Sequence, residues 1–224
     1  MKIGVMIAMQ KEFDIYTECL QQLSEQTIAN RRFLSGKWQQ HDIVVVVSGM
    51  GKVNAAVCAT CLINVFQVDF IVNIGVSGGL NSSLKIGEFV VGTDVVYHDV
   101  WCGEPDVDGQ IAGMPLLYHS DEKFVQRLPD CRRGLLCCGD RFIVSADELK
   151  TIKQKFPEAL AVDMESAAIA HTCYMHNVPF LTVRQISDTP GVEHHKEQYD
   201  AFWESAPKNS FSMFVNILNV LQNN

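Results

Sequence analysis

The sequence feature that most constrains the fold is a β-branched strand followed directly by a glycine turn and a helix. Residues 43–47 read Ile-Val-Val-Val-Val, a run typical of a central strand covered on both faces. Gly49 and Gly51 then interrupt the chain, and apolar residues from 52 to 66 recur at the spacing of a mostly buried helix. Such a strand, turn and helix form the unit from which α/β folds are built.

The same alternation recurs along the whole chain. Strands are predicted over residues 2–9, 32–38, 43–47, 70–74, 88–96, 134–138 and 180–186. Helices are predicted over residues 52–66, 121–128, 146–156, 165–175 and 208–221. This order predicts an α/β fold with a mostly parallel central sheet. Because no linker, repeat or low-complexity tract interrupts it, we interpret residues 1–224 as a single domain.

Charge and hydropathy exclude several kinds of partner. The chain has 18 basic and 26 acidic side chains, a net charge of −8, which disfavours binding to nucleic acid or to an anionic membrane. No apolar stretch approaches the roughly 18 residues that span a bilayer, and the apolar N-terminal run is soon interrupted by charge. We therefore expect a cytoplasmic protein that binds a small molecule or another protein.

The cysteines and histidines do not predict a metal site. Most of the eight cysteines fall in apolar segments, as reduced core residues do. Cys58 and Cys61 have metal-ligand spacing, but they lie within a predicted helix with no second pair and no nearby histidine. We interpret them as core residues and His194 and His195 as part of a solvated loop. No metal or organic cofactor is expected.

Polar residues follow the ends of several predicted strands, and ligands in open α/β folds bind outside those carboxyl ends. The segments are residues 9–12, 48–54, a glycine-rich loop at 75–79, 163–165 and 187–188. They bring three carboxylates, Glu12, Glu165 and Asp188, to one rim. Structural alternatives remain open, because Glu165 would also favour a helix start and Asp188 a turn. The glycines lack the Lys-Ser/Thr ending of a phosphate-binding loop, and a tight turn explains them equally well.

Four motifs occur in order along the chain. They are Ile7-Ala-Met9-x-x-Glu12, Ser48-Gly-Met-Gly-Lys-Val-Asn-Ala-Ala56, Asp163-Met-Glu-Ser-Ala-Ala168 and Val183-Arg-x-Ile-Ser-Asp188. With them the chain resembles the bacterial 5′-methylthioadenosine/S-adenosylhomocysteine nucleosidases of the nucleoside phosphorylase/nucleosidase superfamily. The resemblance implies a three-layer α/β/α sandwich around a mixed, partly barrel-like sheet, and a homodimer.

The resemblance also implies roles for the carboxylates. Asp188 falls on the catalytic acid that protonates N7 of adenine, with Ser187 orienting it, and Glu12 falls on the carboxylate that activates water. Glu165 falls on the ligand of the ribose hydroxyls. These residue types suit the reaction, because cleavage develops positive charge on the sugar and requires a protonated leaving base.

The remaining implied site residues surround the nucleoside. Met164 would pack on the ribose and Met9 would lie near the attacking water. Phe142 would stack on the adenine and Ile143 would read its edge, although a core aromatic is an alternative for Phe142. Tyr199 would form a wall beside the 5′-substituent. Residues 101–115 of a partner subunit would cover that substituent.

Three positions depart from the family pattern. Val76 and Ser77 replace the usual Ser-Ala before the paired glycines that begin with Gly78, so a polar contact to the substrate is lost or moved by one residue. Arg141 stands before Phe142, where a small or amide residue is more usual. These departures leave the substrate open, with aminodeoxyfutalosine and 5′-deoxyadenosine nucleosidases as alternatives.

Two further functions compete with this interpretation. A phosphorylase should place arginines for phosphate after the first strand, but residues 8–12 carry a carboxylate there, which would repel phosphate. A nucleoside-binding module without catalysis is possible on a reused fold. The three carboxylates favour a hydrolytic enzyme over both.

Overall fold

The computed structural model describes residues 1–10, 13, 18–190, 195–202 and 206–222, and these contain ten strands and six helices. The strands are β1 (Lys2–Ile7), β2 (Gln21–Ile28), β3 (Arg31–Trp38), β4 (His41–Val47), β5 (Phe70–Gly79), β6 (Phe89–Tyr97), β7 (Tyr118–His119), β8 (Cys131–Cys138), β9 (Ala161–Asp163) and β10 (Phe180–Asp188). The helices are α1 (Lys52–Asn64), α2 (Glu122–Val125), α3 (Ala146–Lys155), α4 (Ser166–His176), α5 (His195–Phe202) and α6 (Ala206–Gln222). Within these described ranges, no helix is both long and apolar enough to cross a membrane.

The strands form one sheet, part of which closes on itself. β10 pairs with β6 on one side and with β5 on the other, so β5, β9, β8, β6 and β10 make a five-stranded ring. From β5 the sheet continues through β1, β4 and β3 to β2. The ring accounts for the partly barrel-like sheet that the resemblance implies.

Helices cover both faces of the sheet, and β1 shows why its sequence requires this. Ile3, Val5 and Ile7 of β1 pack in the apolar cluster that contains α6, whereas Met6 packs in the cluster that contains α1 and α4. Gly4 lets α1 approach closely, because a Cβ there would lie 2.9 Å from Cδ1 of Leu62. The predicted three-layer α/β fold is confirmed.

The sheet is mixed, so the prediction of mostly parallel pairing is wrong. Five of the ten strand pairings are antiparallel. The β2–β3 and β3–β4 pairs are hairpins joined by turns too short to hold a crossover helix. The alternation of strands and helices therefore predicts parallel pairing only where a helix connects the strands.

Residues 75–79 are the end of a strand and not the predicted loop. β5 continues to Gly79 and pairs with β10 through Gly78 and with β9 at Gly78 and Gly79. The glycines instead permit close approach, since a Cβ on Gly78 would lie 2.8 Å from Cγ of Pro190. They serve packing on an extended strand and not a turn.

Other differences concern the limits of elements. No strand is predicted over residues 21–28, where β2 lies with nearly all its residues exposed. The helix predicted over 121–128 is the single turn α2. β10 runs past its predicted end at 186 to include Asp188. Cys58 is buried in α1, in agreement with its predicted core role. The predicted loop at 194–195 is wrong for His195, which begins α5, whereas His194 lies outside the described residues.

Candidate active site

One cleft collects the predicted site residues that the structure describes. It opens at the ends of β1, β5, β9 and β10, and the empty space within it, including solvent at its open mouth, is about 720 Å³. Its lining includes Met9, Val76, Ser77, Gly78, Phe142, Ile143, Met164, Glu165, Ser187, Asp188 and Tyr199. Glu12 lies outside the described residues.

Asp188 is held by its neighbour at the end of β10. The hydroxyl of Ser187 donates to Oδ1 of Asp188 over 2.6 Å, and it also lies 3.2 Å from the carbonyl oxygen of Ser77. The register between β10 and β5 shifts between Ile186 and Asp188, so Ser187 occupies a bulge. Bulges re-aim side chains next to active sites, and this one places both Ser187 and Asp188 against the cleft with 1% exposure each.

Glu165 is a buried carboxyl just before α4. Its Oε1 accepts a hydrogen bond of 2.8 Å from the backbone N of Gly51, in the turn after β4. Gly51 has φ +94°, a conformation that favours glycine. Burial, reinforced by nearby Asp163, raises the pKa of Glu165 to about 7, although Arg184 and the Gly51 hydrogen bond oppose the change. A carboxyl with such a pKa is able to change its charge near neutral pH.

A buried ion pair that is not predicted from the sequence lies beside Glu165. Nε of Arg184 is 2.6 Å from Oδ2 of Asp163, and both side chains are almost completely buried and line the cleft. Oδ1 of Asp163 accepts from the backbone N of Glu165 at 3.2 Å and of Ser166 at 3.0 Å. The pair therefore fixes the start of α4 and the position of Glu165. The sequence does carry a signal for this pair, because an arginine within an apolar strand, such as Arg184, requires a buried acidic partner.

Aromatic side chains form one wall of the cleft. The rings of Phe142 and Tyr199 meet edge to face, with centroids 5.7 Å apart and an interplanar angle of 71°. The hydroxyl of Tyr199 lies 3.5 Å from Sδ of Met9. Phe142 is 47% exposed, whereas Ile143 is buried against Val162 and α3. An exposed aromatic face beside buried carboxyls suits a planar heterocycle carrying a polar group.

The three departures from the family pattern also lie at the cleft. Ser77 is buried, and its hydroxyl has no hydrogen-bond partner among the described residues, whereas Val76 is half-buried. Arg141 lines the cleft at its exposed rim and pairs through Nε with Oε1 of Glu148 in α3. Both the hydroxyl of Ser77 and the positive charge of Arg141 therefore lie at the cleft, where they are able to affect ligand binding.

A mixed sheet closed into a five-stranded ring, with buried carboxyls and an aromatic wall around one cleft, defines the class of nucleoside phosphorylases and nucleosidases. The family model described as "Phosphorylase superfamily" matches residues 2–219, and the chain belongs to that superfamily.

Individual relatives narrow the comparison. The 5′-methylthioadenosine/S-adenosylhomocysteine nucleosidase of Staphylococcus aureus (strain JH9) is 39% identical over 217 residues, covering 93% of this chain and 95% of the relative. The structure of the same-named nucleosidase from S. pneumoniae, with the transition-state inhibitor MT-ImmA, matches with TM-score 0.93 and 33% identity, covering 99% of this chain and 100% of that one. The native futalosine hydrolase of Helicobacter pylori matches with TM-score 0.90 and 27% identity, covering 97% of each chain. The resemblance seen in the sequence is confirmed.

Proposed function

We propose that this protein is a hydrolytic N-glycosidase that releases adenine from 5′-methylthioadenosine, S-adenosylhomocysteine or both. The observation that carries the proposal is the placement of two buried carboxyls, Asp188 and Glu165, in one cleft with the exposed ring of Phe142. The S. aureus relative bears the name of this activity. In the cytoplasm such an enzyme would serve nucleoside catabolism and methionine salvage.

Asp188 acts on the leaving base. The bond between N9 of adenine and C1′ of the ribose breaks with its electron pair moving to the base, and a proton from Asp188 reaches N7. Because Oδ1 of Asp188 accepts from the Ser187 hydroxyl, the proton is carried by Oδ2. Protonation of the base as charge develops is the kind of assistance that contributes about 10² to 10⁴ in rate.

Glu165 acts on the sugar side. Its carboxylate accepts hydrogen bonds from the ribose hydroxyls and places negative charge near the oxocarbenium-like transition state. The nucleophile is water, whose oxygen bonds to C1′ while its proton passes to a base. By the family resemblance that base is Glu12, with Met9 near the attacking water and Met164 against the ribose. Val76, Ser77, Gly78 and Ile143 complete the proposed contacts to the nucleoside, and Tyr199 borders the 5′-group.

A second copy of this chain is the partner that we propose for the exposed apolar face of α1 and α4. Val53 and Val57 of α1 are 76% and 40% exposed, and Tyr174 and Met175 of α4 are 53% and 62% exposed. Exposed apolar surface of this kind marks interaction sites. Met50 both lines the cleft and is 63% exposed, so the cleft reaches the surface just before α1. By the family resemblance, residues 101–115 of the partner would cover the 5′-group.

A related nucleosidase with a different 5′-specificity is the second candidate. The likeness to the H. pylori futalosine hydrolase, together with the changes at Val76, Ser77 and Arg141, favours it over a phosphorylase. Aminodeoxyfutalosine and 5′-deoxyadenosine share the adenine that the proposed site binds, and they differ at the 5′-position. The reaction is the same for all of these substrates.

Adenine release from methylthioadenosine, S-adenosylhomocysteine, 5′-deoxyadenosine and aminodeoxyfutalosine, with inosine as the non-adenine control, tests the proposal. We expect release without phosphate that collapses in Asp188→Asn but persists in Glu25→Gln, a change at the exposed Arg32–Glu25 ion pair. Release that requires phosphate would identify a phosphorylase. Binding without release would identify a nucleoside-binding module.

A further inference from the structure

Glu148 of α3 holds the chain on both sides of the two residues proposed to bind adenine. Its Oε1 pairs with Nε of Arg141, and its Oε2 accepts from the backbone N of Val144 at 3.2 Å and of Ser145 at 3.1 Å. Between these contacts, residues 142–143 line the cleft. One side chain therefore ties the segment 141–145 at both ends.

The contact with Arg141 is separate from the capping of α3. Ser145 and Glu148 form a complete capping box, in which the Ser145 hydroxyl accepts from the backbone N of Glu148 and the Glu148 carboxylate binds the backbone N of Ser145. That box satisfies the helix start without Arg141. The hydrogen bonds from Val144 and Ser145 hold the pKa of Glu148 at about 2, so the carboxylate is charged at any working pH. The arginine adds restraint on the residue before Phe142.

The restraint from Arg141 matters because Ile143 is fixed by packing and Phe142 is fixed much less. Ile143 is buried at 5% exposure, whereas Phe142 is 47% exposed. The backbone N of Arg141 donates to the carbonyl oxygen of Gly139 over 2.8 Å, which fixes the chain just before the segment. Ordering a mobile side chain on binding lowers affinity, and pre-ordering it avoids that loss.

We infer that Arg141 is a positioning residue for base binding, which acts through Glu148 to pre-order the segment 141–145 so that Phe142 and Ile143 meet adenine in place. The inference rests on the proposed function, because it takes adenine as the ligand of this segment. It assigns to the unusual arginine an effect on the base that all candidate substrates share. A direct contact of Arg141 with the 5′-group would instead act on one substrate only.

The chemistry of the ligands separates these two roles. S-adenosylhomocysteine carries a carboxylate on its 5′-substituent, whereas methylthioadenosine and free adenine carry none. A positioning role weakens all three ligands equally. A charge contact between Arg141 and the 5′-carboxylate weakens S-adenosylhomocysteine alone.

The experiment compares Arg141→Ala, Arg141→Lys, Glu148→Gln and the Arg141→Ala/Glu148→Gln pair with the wild type. Glu148→Gln preserves the capping box, since glutamine also serves at that position. The readouts are KM and kcat for methylthioadenosine and S-adenosylhomocysteine, the Kd of adenine by calorimetry, and Tm. Glu25→Gln, which removes another exposed ion pair, is the matched control.

We expect Arg141→Ala to raise both KM values and the adenine Kd by about two- to fivefold, as expected for one exposed ion pair, with kcat and Tm little changed. Arg141→Lys keeps the charge but loses the planar donor, so its KM values and adenine Kd should lie between those of the wild type and of Arg141→Ala. The double variant should be no weaker than Arg141→Ala, because both changes remove one contact.

The inference would be overturned if Arg141→Ala raised the KM of S-adenosylhomocysteine alone or left the adenine Kd unchanged. A fall in kcat that follows a fall in Tm would overturn it as well. A wild type that binds adenine but releases none from any nucleoside would refute the proposed function and not the positioning role. The adenine Kd of the variants tests that role without turnover.

Discussion

Arg184 of β10 forms a buried ion pair with Asp163 of β9, with 2.6 Å between Nε and Oδ2. The second oxygen of Asp163 accepts from the backbone N of Glu165 and Ser166 at the start of α4. Arg184 also donates through Nη1 to the carbonyl oxygen of Asn73, over 3.4 Å. The pair thus connects three strands of the ring to the helix that follows Glu165.

Removal of one partner should leave an uncompensated buried charge. We expect Arg184→Met to lower the free energy of unfolding by about 3–5 kcal/mol, the usual cost of breaking a buried pair from one side. Urea denaturation measures this free energy of unfolding. The double variant Arg184→Met/Asp163→Asn should recover part of the loss, since no isolated charge remains, and Glu25→Gln should change stability by about 0.5 kcal/mol or less. Equal stability of Arg184→Met and wild type would contradict a structural role for the pair.

The hydrogen bond from Ser187 to Asp188 predicts a graded loss of activity. Asp188→Asn removes the proton donor and should lower kcat by about 10² to 10⁴. Ser187→Ala keeps the acid but loses one hydrogen bond of about 1 kcal/mol, so a reduction of about fivefold is expected. Ser187→Thr retains a hydroxyl and is the matched control. The orienting role would be wrong if Ser187→Ala matched either the wild type or Asp188→Asn in steady-state adenine release.

The raised pKa of Glu165, about 7 against an ordinary 4.5, predicts a pH dependence of substrate capture. The ribose hydroxyls donate to the ionised carboxylate, which forms as the pH rises through about 7. We therefore expect kcat/KM, which reports the free enzyme, to rise across this range. The rise should disappear in Glu165→Gln, whose activity is lower at every pH. A profile with the same acidic limb in both proteins would assign that limb to another group.

The same carboxyl has an opposite effect on folding. Because its pKa is higher in the folded protein than in the unfolded chain, Glu165 contributes stability that is fully present below pH 4.5 and is lost as the pH rises through about 7. The free energy of unfolding of the wild type, relative to Glu165→Gln, should thus fall between these values. Denaturation of both proteins at a series of pH values measures the difference, and a constant difference would contradict the buried protonated state.

The exposed face of α1 and α4 predicts a dimer that a single charge weakens. Val53→Asp places a carboxylate on the most exposed apolar residue of this face, and we expect the dimer Kd to rise at least about tenfold, or 1.4 kcal/mol. Sedimentation velocity over a range of concentrations measures it. Ile86→Asp changes an exposed apolar residue outside these helices and should leave the dimer Kd unchanged. A wild type that is monomeric at all concentrations would contradict the proposal that a partner subunit contributes residues to the site.

The location of the site could be predicted from the sequence because strand ends are local signals. Polar segments after apolar runs predict that residues 9–12, Glu165 and Asp188 are neighbours. Met9, Glu165 and Asp188 do line one cleft, whereas Glu12 lies outside the described residues. The Asp163–Arg184 pair could not be assigned in this way, since the two residues lie 21 positions apart and meet only because β9 and β10 belong to one ring. The bulge at Ser187 depends likewise on the register between two strands.

Errors in the predicted elements have equally specific causes. β2 has exposed residues on both faces, so its sequence lacks the alternation of apolar and polar residues that marks a half-buried strand. In residues 75–79 the glycines suggested a turn, but glycine is also required where chains approach closely, and only the position of Pro190 distinguishes the two.

Closure of the ring gives the sheet two ends with different tolerance to change. A residue inserted into β5 or β10 would shift the pairing on both sides and displace Asp188, so the ring admits little variation in length. The far end is the β2–β3 hairpin, where β2 has β3 as its only partner among the described strands. Its turn at Ala29 and Asn30 is therefore a place where natural relatives could gain extra residues.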